Sequence, residues 1–540
     1  MRLSLALLAG LLVPACDTSE SATPPVAGNL KDGLATGAPV VAPPIVKKPL
    51  DTKPLPALER EPATTESAKR GAIAGTGTGK ALRSLGFGGL GIDTPTGVAV
   101  AANGDIYLCG HFDGEIDAGP AGTIVATPPP PPDPKAKKKA EATTDAYLAK
   151  ITPDGKLAWI QRWGGRRDDV ARAVAVRGNT IVVVGNFTDQ LVIGEAATED
   201  NAKQNPAANS DDMYVAAFDP TGKSLWVYTA GGSDSDGANA VAAAPDGGWY
   251  VGGSFMRIAS FDKARTEYKS KGGTDAVLLK LSKDGDLEWL KQFGGAYNDT
   301  ILHLAVDAQG SVYAQGHFKD KSNWGGTDLI AAGGSDNDIV LAKYDLNGDH
   351  VWSKRFGNAF NDVAGGLTVD RAGNTTMVGS FDKSVSFGEG DEHISNGEAD
   401  IFIARFDGNG KLDWAKTYGA DREDVGWGVA ADATGATVMT GWFQAKVDFG
   451  KTTLGPVESK GNKDVFALKH DVKGNLVWVQ TWGDKDYDQG RAIALDPKGH
   501  AVVAGLYRFT MSIASPALES IRAADDRIPK PDTFVVWLDR

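Results

Sequence analysis

Short alternating runs of apolar and polar residues recur along the chain from about residue 79 to its end. In one stretch these runs span residues 171–176, 180–184, 213–218 and 224–228, each rich in β-branched or aromatic side chains and bounded by Gly, Asn or Asp. Such runs are typical of strands joined by tight turns. Outside the N-terminal leader, no stretch sustains a helical period. The pattern therefore predicts an all-β chain whose repeating unit has four short strands.

Fixed spacings show that one unit is copied in tandem. Six aspartates open runs of the form D-x-apolar-x-apolar, about every 63 residues: Asp145, Asp212, Asp275, Asp338, Asp400 and Asp464. A glycine follows each aspartate after ten residues, and a tryptophan follows after fourteen. The tryptophans are Trp159, Trp226, Trp289, Trp352, Trp414 and Trp478. We interpret them as wedges packed between units, because a large aromatic at a fixed repeat position is most simply a packing residue.

The two ends of the repeat array complete each other. Residues 532–539 match a third strand without a fourth, whereas residues 79–89 match the fourth-strand region at 155–165. The N-terminal segment is therefore predicted to supply the outer strand of the unit that the C-terminus leaves unfinished, giving seven units. A ring latched in this way leaves no open sheet edge. We predict an all-β, closed seven-bladed β-propeller of four-stranded blades over residues 79–540.

The repeat has a recognisable form. Residues 97–112 read G-V-A-V-x-x-x-G-x-I-Y-x-x-G-x-F and are followed by D-x-F-x-A-x-x-D-x-x-G-x-x-x-W. This pattern resembles the seven-bladed β-propeller (SBBP-type) repeats of bacterial envelope lipoproteins, and it is more distantly similar to NHL-type propeller repeats. The resemblance covers roughly residues 79–540. It implies the propeller fold, but that family is defined by fold and its members' functions are varied or unknown, so it implies no particular activity.

The N-terminal segment has the features of an export signal. Residues 1–16 combine a short basic start, an apolar run too short to span a bilayer, and the sequence Val-Pro-Ala-Cys at 13–16. That tetrapeptide resembles a bacterial lipobox, which predicts acylation of Cys16 and a lipid anchor to the cell envelope on its periplasmic or surface side. The alternative is an ordinary signal peptide cleaved nearby. Residues 17–78, rich in Pro, Ala, Thr and Lys, are predicted to be a disordered tether.

Charge and cysteine content narrow the classes of partner. The net charge is −13, which argues against binding to nucleic acid and against adsorption to anionic headgroups. Apart from Cys16, the sequence contains one cysteine, Cys109, which is expected to be a buried free thiol. We expect a monomer that contacts the membrane through its lipid anchor alone.

A second repeated aspartate occurs once in every unit, five residues after the glycine that ends the outer strand. The set is Asp93, Asp169, Asp236, Asp299, Asp362, Asp424 and Asp488. By analogy with NHL-type blades, these carboxyls are expected to form a ring on one face. The functional interpretation is a site for a cation or a cationic ligand near the channel mouth. The structural alternative is that each carboxylate accepts backbone N–H bonds and fixes the connection between units.

The sequence contains no recognised catalytic or metal-binding motif. It has no H-x-x-x-H, C-x-x-C, H-E-x-x-H or G-x-S-x-G pattern, so we predict no metal, no cofactor and no catalytic residues. An alternative is a propeller enzyme, a lyase or hydrolase, with its site at the channel mouth. Residues that break the repeat there, and so could serve it, are Arg166, Arg167, His303, Arg422, Trp427 and Arg491.

The connections between second and third strands differ most from unit to unit. They span about 113–144, 188–211, 256–274, 319–337, 382–399, 444–463 and 508–531, and should share a face with the aspartate ring. The first carries a basic arm with Lys135, Lys137, Lys138 and Lys139, and others are expected to expose aromatic tips such as Trp324. Variable loops on a rigid scaffold commonly form binding surfaces. We therefore predict a non-catalytic interaction platform for an envelope protein or glycan.

Overall fold

The structure is a computed structural model, and it describes the repeat region of the chain. The described residues are 77–128, 143–193, 210–333, 336–358, 360–450, 455–514, 516–521 and 529–540. They belong to the larger of the two compact regions of the chain, Ala74–Arg540. Three predicted features lie outside these residues: the signal at 1–16 with Cys16, the tether apart from residues 77 and 78, and the basic arm with Lys135, Lys137, Lys138 and Lys139. In the described part, no helix is long and apolar enough to cross a membrane.

The described chain is all-β and contains seven antiparallel units of four strands each. Units 1 to 3 are Asp93–Val100, Ile106–Phe112, Asp145–Ile151 and Leu157–Trp163; Asp169–Arg177, Thr180–Thr188, Asp211–Phe218 and Ser224–Gly232; and Gly237–Ala243, Trp249–Ser260, Glu267–Leu281 and Leu287–Gly295. Units 4 and 5 are Thr300–Val306, Val312–Phe318, Asp338–Tyr344 and His350–Phe356; and Val363–Val369, Thr375–Phe381, Asp400–Phe406 and Leu412–Tyr418. Units 6 and 7 are Val425–Ala431, Thr437–Phe443, Asp464–His470 and Leu476–Trp482; and Gln489–Leu495, Ala501–Tyr507, Asp532–Leu538 and Ala81–Phe87. Within each unit the spatial order follows the order given.

Five of the units are separate four-stranded sheets, and units 2 and 3 are joined. Gly231 and Gly232 at the end of unit 2 pair with Ser260 and Ala259 of unit 3. The resulting ten-stranded sheet also contains the short strands Lys321–Asn323 and Leu329–Ile330. The glycines that end the outer strands therefore bring neighbouring units into direct backbone contact.

Unit 7 is built from both ends of the described chain. Ala81–Phe87 pairs antiparallel with Asp532–Leu538, in a register that places Arg83 opposite Trp537 and Phe87 opposite Thr533. This is the pairing that the sequence predicted for the composite unit. The third strand of unit 7 also pairs with Ala501–Tyr507, so it is a central strand. A central strand satisfies backbone groups on both of its sides, which makes its loss costly.

The first strands of the seven units contact one another in cyclic order. The first strand of unit 1 contacts those of units 2 and 7, and every other first strand likewise contacts its two neighbours. First strands keep many partly exposed positions, whereas most second and third strands are almost completely buried. The apolar core therefore lies between the units, in a series of inter-unit clusters. The less buried first strands surround an inner space.

The repeat tryptophans join each unit to the next. The indole N–H of Trp226 donates to the carbonyl of Lys283 at 3.0 Å, and that of Trp478 donates to Arg540 at 3.1 Å. The rings lie against turn glycines, since a Cβ added at Gly285 would be 2.6 Å from the Trp226 ring. These contacts agree with the interpretation of the tryptophans as wedges. In unit 7 the same position is occupied by Arg83, whose guanidinium lies 4.8 Å over the Trp537 ring.

Small hairpins project from most connections between second and third strands. They are formed by Glu115–Asp117 with Thr123–Val125, Lys321–Asn323 with Leu329–Ile330, Ser384–Gly388 with Asp391–Ile394, Lys446–Val447 with Val457–Glu458, and Thr510–Met511 with Leu518–Glu519. A 3₁₀ turn, Gly119–Ala121, lies in the first hairpin. In unit 3 the second and third strands themselves extend into the equivalent hairpin. The connections thus share a structural plan despite their different sequences.

The prediction that Trp324 is an exposed loop tip was wrong. Its side chain is completely buried and stacks on Phe293 of the preceding unit, with ring centroids 5.7 Å apart. Phe387 and Phe449 occupy equivalent places in units 5 and 6 and contact Phe356 and Tyr418. The first half of each connection therefore fills the gap between units, because a large apolar side chain gains more by packing there than in water.

Candidate functional site

The seven aspartates predicted to form a ring are all buried at the start of the first strands. Each accepts a hydrogen bond, between 2.6 and 3.1 Å long, from the backbone N–H four residues before it. Their own backbone N–H groups donate to the carbonyl of the residue just before the repeated aspartate of the adjacent third strand, as Asp236 does to Asp211, which precedes Asp212, at 2.7 Å. These bonds give every ring aspartate a structural role in the connection between units. The ligand-binding ring stays a prediction.

Each ring aspartate lies beside the aspartate that opens a third strand. The two aspartates of a pair come from adjacent units. Six of the seven pairs are separated by 24 residues in the sequence, as from 145 to 169 or from 464 to 488. A Cβ added at Gly231 would be 2.0 Å from Asp212 Oδ1 and 3.0 Å from Asp236 Oδ2, so both carboxyls surround one glycine. Asp93 pairs with Asp532 from the other end of the chain. Seven carboxyl pairs are thus enclosed where adjacent units meet.

Burial changes the protonation of these pairs. Burial, with the charge of Asp532 nearby, raises the pKa of Asp93 to about 9. Burial likewise raises the pKa of Asp169 and Asp362 to about 8 and that of Asp488 to about 7, against the backbone hydrogen bonds that favour the charged form. Two carboxyls this close in a dry environment resist double ionisation, so the pair holds a proton.

The carboxyl pairs do not by themselves form a metal centre. Within the described residues, no three His, Cys, Asp or Glu side chains are grouped so that they could hold a metal ion. Several pairs contain an Oδ1 atom that is shielded from water and has no hydrogen-bond partner, as in Asp145 and Asp169. A shared proton satisfies such an atom with no further ligand.

The glycine over each carboxyl pair should be intolerant of a side chain. Gly231→Ala is expected to destabilise the protein by about 1–3 kcal/mol more than Gly178→Ala, because the new methyl overlaps the Asp212 carboxyl. Gly178 also has a positive φ, of 55°, but no atom lies within 4 Å of its Cβ position. Gly178→Ala measures the strain of the left-handed region alone, about 1–2 kcal/mol, whereas at Gly231, where φ is 153°, overlap and backbone strain both contribute to the loss. Urea unfolding of both variants measures the difference, and equal losses would contradict the enclosed-pair geometry.

A β-bulge in every first strand breaks the symmetry of the units. The extra residue is always the third after the ring aspartate, and its identity differs widely: Thr96, Arg172, Asn239, Leu302, Gly365, Trp427 and Arg491. Bulges re-aim side chains and are common beside functional sites. Trp427 and Arg491 were among the sequence candidates, whereas Arg172 was missed. Comparing this one position across all units was the signal that could have found it.

The candidate His303 and the nearby His317 both contact the backbone of the adjacent unit. The backbone N–H of Ala364 donates to His317 Nε2 at 2.7 Å, and His303 Nε2 lies 3.4 Å from the Ala364 carbonyl. Burial lowers the pKa of both imidazoles to about 4, so they are neutral at physiological pH. Their geometry is that of a joint between units 4 and 5.

The remaining candidates are placed apart from one another. Arg166, Arg167 and Arg422 are exposed in the connections between units. Cys109 is completely buried and free, as predicted, and burial raises the pKa of its thiol to about 12. A protonated, enclosed thiol is a poor nucleophile.

Comparisons with known proteins give distant similarities. No family model matches the chain. It is 23% identical over 372 residues to the regulatory protein FlaEY of Caulobacter vibrioides, and 19% identical over 496 residues to an uncharacterized WD repeat-containing protein of Acanthamoeba polyphaga mimivirus. These alignments cover 63% and 78% of this chain and 36% of each relative. The chain thus spans about a third of the length of these relatives.

Solved structures with a similar arrangement have low sequence identity. The Pan2 WD40 domain of Neurospora crassa has a TM-score of 0.41 and 8% identity, over 85% of this chain and 97% of that domain. An ulvan lyase, a polysaccharide lyase, has a TM-score of 0.40 and 11% identity, over 78% of this chain and 93% of its own. The repeated antiparallel units and the cyclic contacts of their first strands make this chain a β-propeller repeat protein.

Proposed function

We propose that the protein is a closed seven-bladed propeller that serves as a non-catalytic interaction platform in a bacterial cell envelope. The observation that carries this proposal is the contrast between a uniform interior and a connection face that differs in every unit. Acylation of Cys16 and a tether over residues 17–78 would hold the platform at a membrane. The partner would be an envelope protein, and a glycan is the other outcome of the test below.

The contacts of the first strands support ring closure. The first strand of unit 1 lies between those of units 7 and 2. Thr96 Oγ1 donates to the carbonyl of Ala171 in unit 2 at 2.7 Å, and the backbone N–H of Asp93 donates to Pro531, beside the third strand of unit 7, at 3.0 Å. Unit 1 is therefore bonded to the two units on either side of it, one of which contains the C-terminal strand. A chain joined in this way has no free terminal unit.

The connection face presents apolar side chains on fixed supports. Several of the hairpins between second and third strands carry an exposed apolar residue: Val125 (55% exposed), Ile258 (40%), Ile330 (65%) and Ile394 (71%). Beneath the hairpin of unit 5, Val385 and Phe387 are buried and anchor it to the core. Anchored hairpins lose little conformational freedom on binding, which favours affinity. Exposed apolar groups on a rigid rim are typical of protein contact surfaces.

Replacing two of these apolar residues should weaken capture of the partner. We expect Ile330→Asp combined with Ile394→Asp to reduce cross-linking to one envelope protein by about tenfold, since central apolar contacts dominate binding energy. The measurement is cross-linking mass spectrometry on the native membrane fraction, with the full-length protein at its normal level. Exposed lysines on the same face, such as Lys321 and Lys383, provide reactive amines.

The control variant is Leu346→Asp combined with Val472→Asp, which introduces the same two charges at the opposite end of the strands; Val472 is 41% exposed in the turn between the third and fourth strands of unit 6. Leu346 is 56% exposed in the turn between the third and fourth strands of unit 4. Cross-links that persist in the Ile330/Ile394 variant, or that disappear equally in the control, would overturn the assignment of the face. If the full-length protein and the control variant both show cross-links only within the propeller itself, a glycan partner would be favoured.

A further inference from the structure

Arg172 and Arg491 project from the same bulge position on the two sides of unit 1. Arg172 lies on the first strand of unit 2 and Arg491 on that of unit 7, and both strands contact the first strand of unit 1. Both side chains are partly accessible to water, although protein surrounds them. Each arginine is the third residue from the connection face, which places it about 10 Å inside the inner space, at 3.3 Å per residue.

His111 of unit 1 lies near both arginines. Burial, together with the charges of Arg172 and Arg491, lowers the pKa of His111 to about 3. Its Nδ1 atom is shielded from bulk water and has no hydrogen-bond partner. The equivalent histidine of unit 4, His317, is instead bonded to the next unit. Unit 1 therefore leaves a polar ring nitrogen free beside two positive charges.

Neither arginine is neutralised by a carboxylate. Among the described residues, no Asp or Glu oxygen lies within ion-pair distance of Arg172 or Arg491. Arg172 donates from Nε to Asn186 at 3.2 Å, and the carboxyl of Asp211 acts on it electrostatically without forming an ion pair. The Arg491 guanidinium lies 5.0 Å from the Trp427 ring, and its Nε has no partner.

Two enclosed positive charges without a counter-ion are costly. A largely enclosed charge without a counter-ion destabilises a protein, and burial lowers the pKa of Arg491 to about 10. The other groups that influence Arg491 are Tyr487 and the ammonium of Lys463, and Lys463 already pairs with Glu423 at 3.3 Å. A chain with net charge −13 has abundant carboxylates, yet among the described residues none forms an ion pair with either arginine. Such local conflict is a mark of a functional site.

We propose that Arg172 and Arg491, with His111 and Trp427, form a binding site for an oxyanion in the inner space of the propeller. The guanidinium fork matches the planar, two-oxygen geometry of a carboxylate and also binds phosphate and sulfate. The oxyanion is either free in solution or carried by a sugar acid of a glycan entering from the connection face. This site does not rest on the protein-binding role of the hairpins.

Calorimetric titration of the full-length protein tests the site. The probes are inorganic phosphate, tri-galacturonate and the neutral trisaccharide galactotriose. Wild type is expected to bind at least one of the two anions and not the neutral sugar. Arg491→Met and Arg172→Met should each weaken binding by about tenfold or more, as expected for loss of a charge-assisted bidentate bond. Arg371→Met, in an exposed turn at the opposite end, should leave binding unchanged.

Thermal melting without ligand separates a binding role from a structural one. Because the arginines are unpaired, Arg491→Met and Arg172→Met should melt at or above the wild-type temperature while losing the anion. If Arg491→Met fails to fold, Arg491→Lys keeps the charge and should still weaken binding, because it loses the fork. Equal binding of phosphate and tri-galacturonate would identify a free oxyanion, and tighter tri-galacturonate an acidic glycan. Failure of both anions to bind, or binding unaffected by every arginine variant, would overturn the proposal.

Discussion

Deleting residues 533–540 is expected to abolish the cooperative unfolding transition. These residues include almost all of the central strand of unit 7, and Phe534, Val535, Val536 and Leu538 are completely buried. Burying one such side chain contributes about 1.5–3 kcal/mol, whereas whole domains are stable by only about 5–15 kcal/mol. The deletion also leaves Ala81–Phe87 without its pairing partner. Calorimetry and tryptophan fluorescence would record the lost transition.

The matched control removes residues 17–70, a longer segment whose composition predicts a tether. We expect its melting temperature to equal that of the full chain. A milder change, Trp537→Ala, should destabilise by about 3–5 kcal/mol, since Trp537 is buried between Arg83 and the core. A C-terminal deletion that melts like the full protein would refute the latching of the two chain ends.

Raising the pH from about 5 to about 9 is expected to destabilise the protein steadily. Unfolded aspartates lose their protons near pH 4. In the folded protein burial raises the pKa of Asp532 and Asp400 to about 6, of Asp299 to about 7, and of Asp212 to about 8. The native state therefore binds more protons than the unfolded state between pH 4 and these values. For each extra proton that the native state holds, the free energy of unfolding falls by about 1.4 kcal/mol when the pH rises by one unit.

The sign reverses at lower pH, where other carboxyls titrate. Hydrogen bonds and the Arg405 charge, acting against burial, hold the pKa of Asp370 below its usual range. The stability that the ionised Asp370 contributes is therefore lost as the pH falls through its pKa in the folded protein. Maximum stability is thus expected between about pH 4 and pH 5. Urea unfolding at a series of pH values measures the profile.

A neutral replacement should flatten the pH profile. Asp169→Asn keeps the shape of a protonated acid and should reduce the slope between pH 5 and about pH 8, because Asp169 has a pKa of about 8, raised by burial. Asp284→Asn, at an exposed turn, should leave the slope unchanged. Stability that increases with pH over this range would mean that the pairs are ionised and held by a cation, and added chelator would then lower the melting temperature.

Strand positions followed from the sequence because they depend on local rules. The alternation of apolar residues and the fixed Asp–Gly–Trp spacing predicted four strands per unit, and residues 79–89 and 532–539 predicted the pairing of the two ends. The partnership of the two repeated aspartates was not recognised, although their constant spacing of 24 residues recorded it. Their contact depends on how adjacent strands return to one end of the sheet, which spacing alone does not specify.

The features that were missed vary in residue type at a fixed place. Ala118, Phe261, Trp324 and Phe387 fill equivalent gaps between units, and their side chains range in size from Ala to Trp, so no single residue type identifies the position. Only the volume of each gap, set by the neighbouring unit, decides which side chain fits. Arg172 was missed for a related reason, since a bulge shifts the alternation of a strand by one residue and conceals which side chain faces inward.

The composite unit imposes a schedule on biosynthesis. Phe87 leaves the ribosome 451 residues before Leu538 (538 − 87), which at 5–20 residues per second corresponds to about 20–90 s. Throughout that interval the segment Ala81–Phe87 has no strand to join. Unpaired strand edges make a nascent chain prone to aggregation, which chaperones counteract. The last seven-residue strand to be made therefore determines when the first can pair, and unit 7 is complete only when synthesis is.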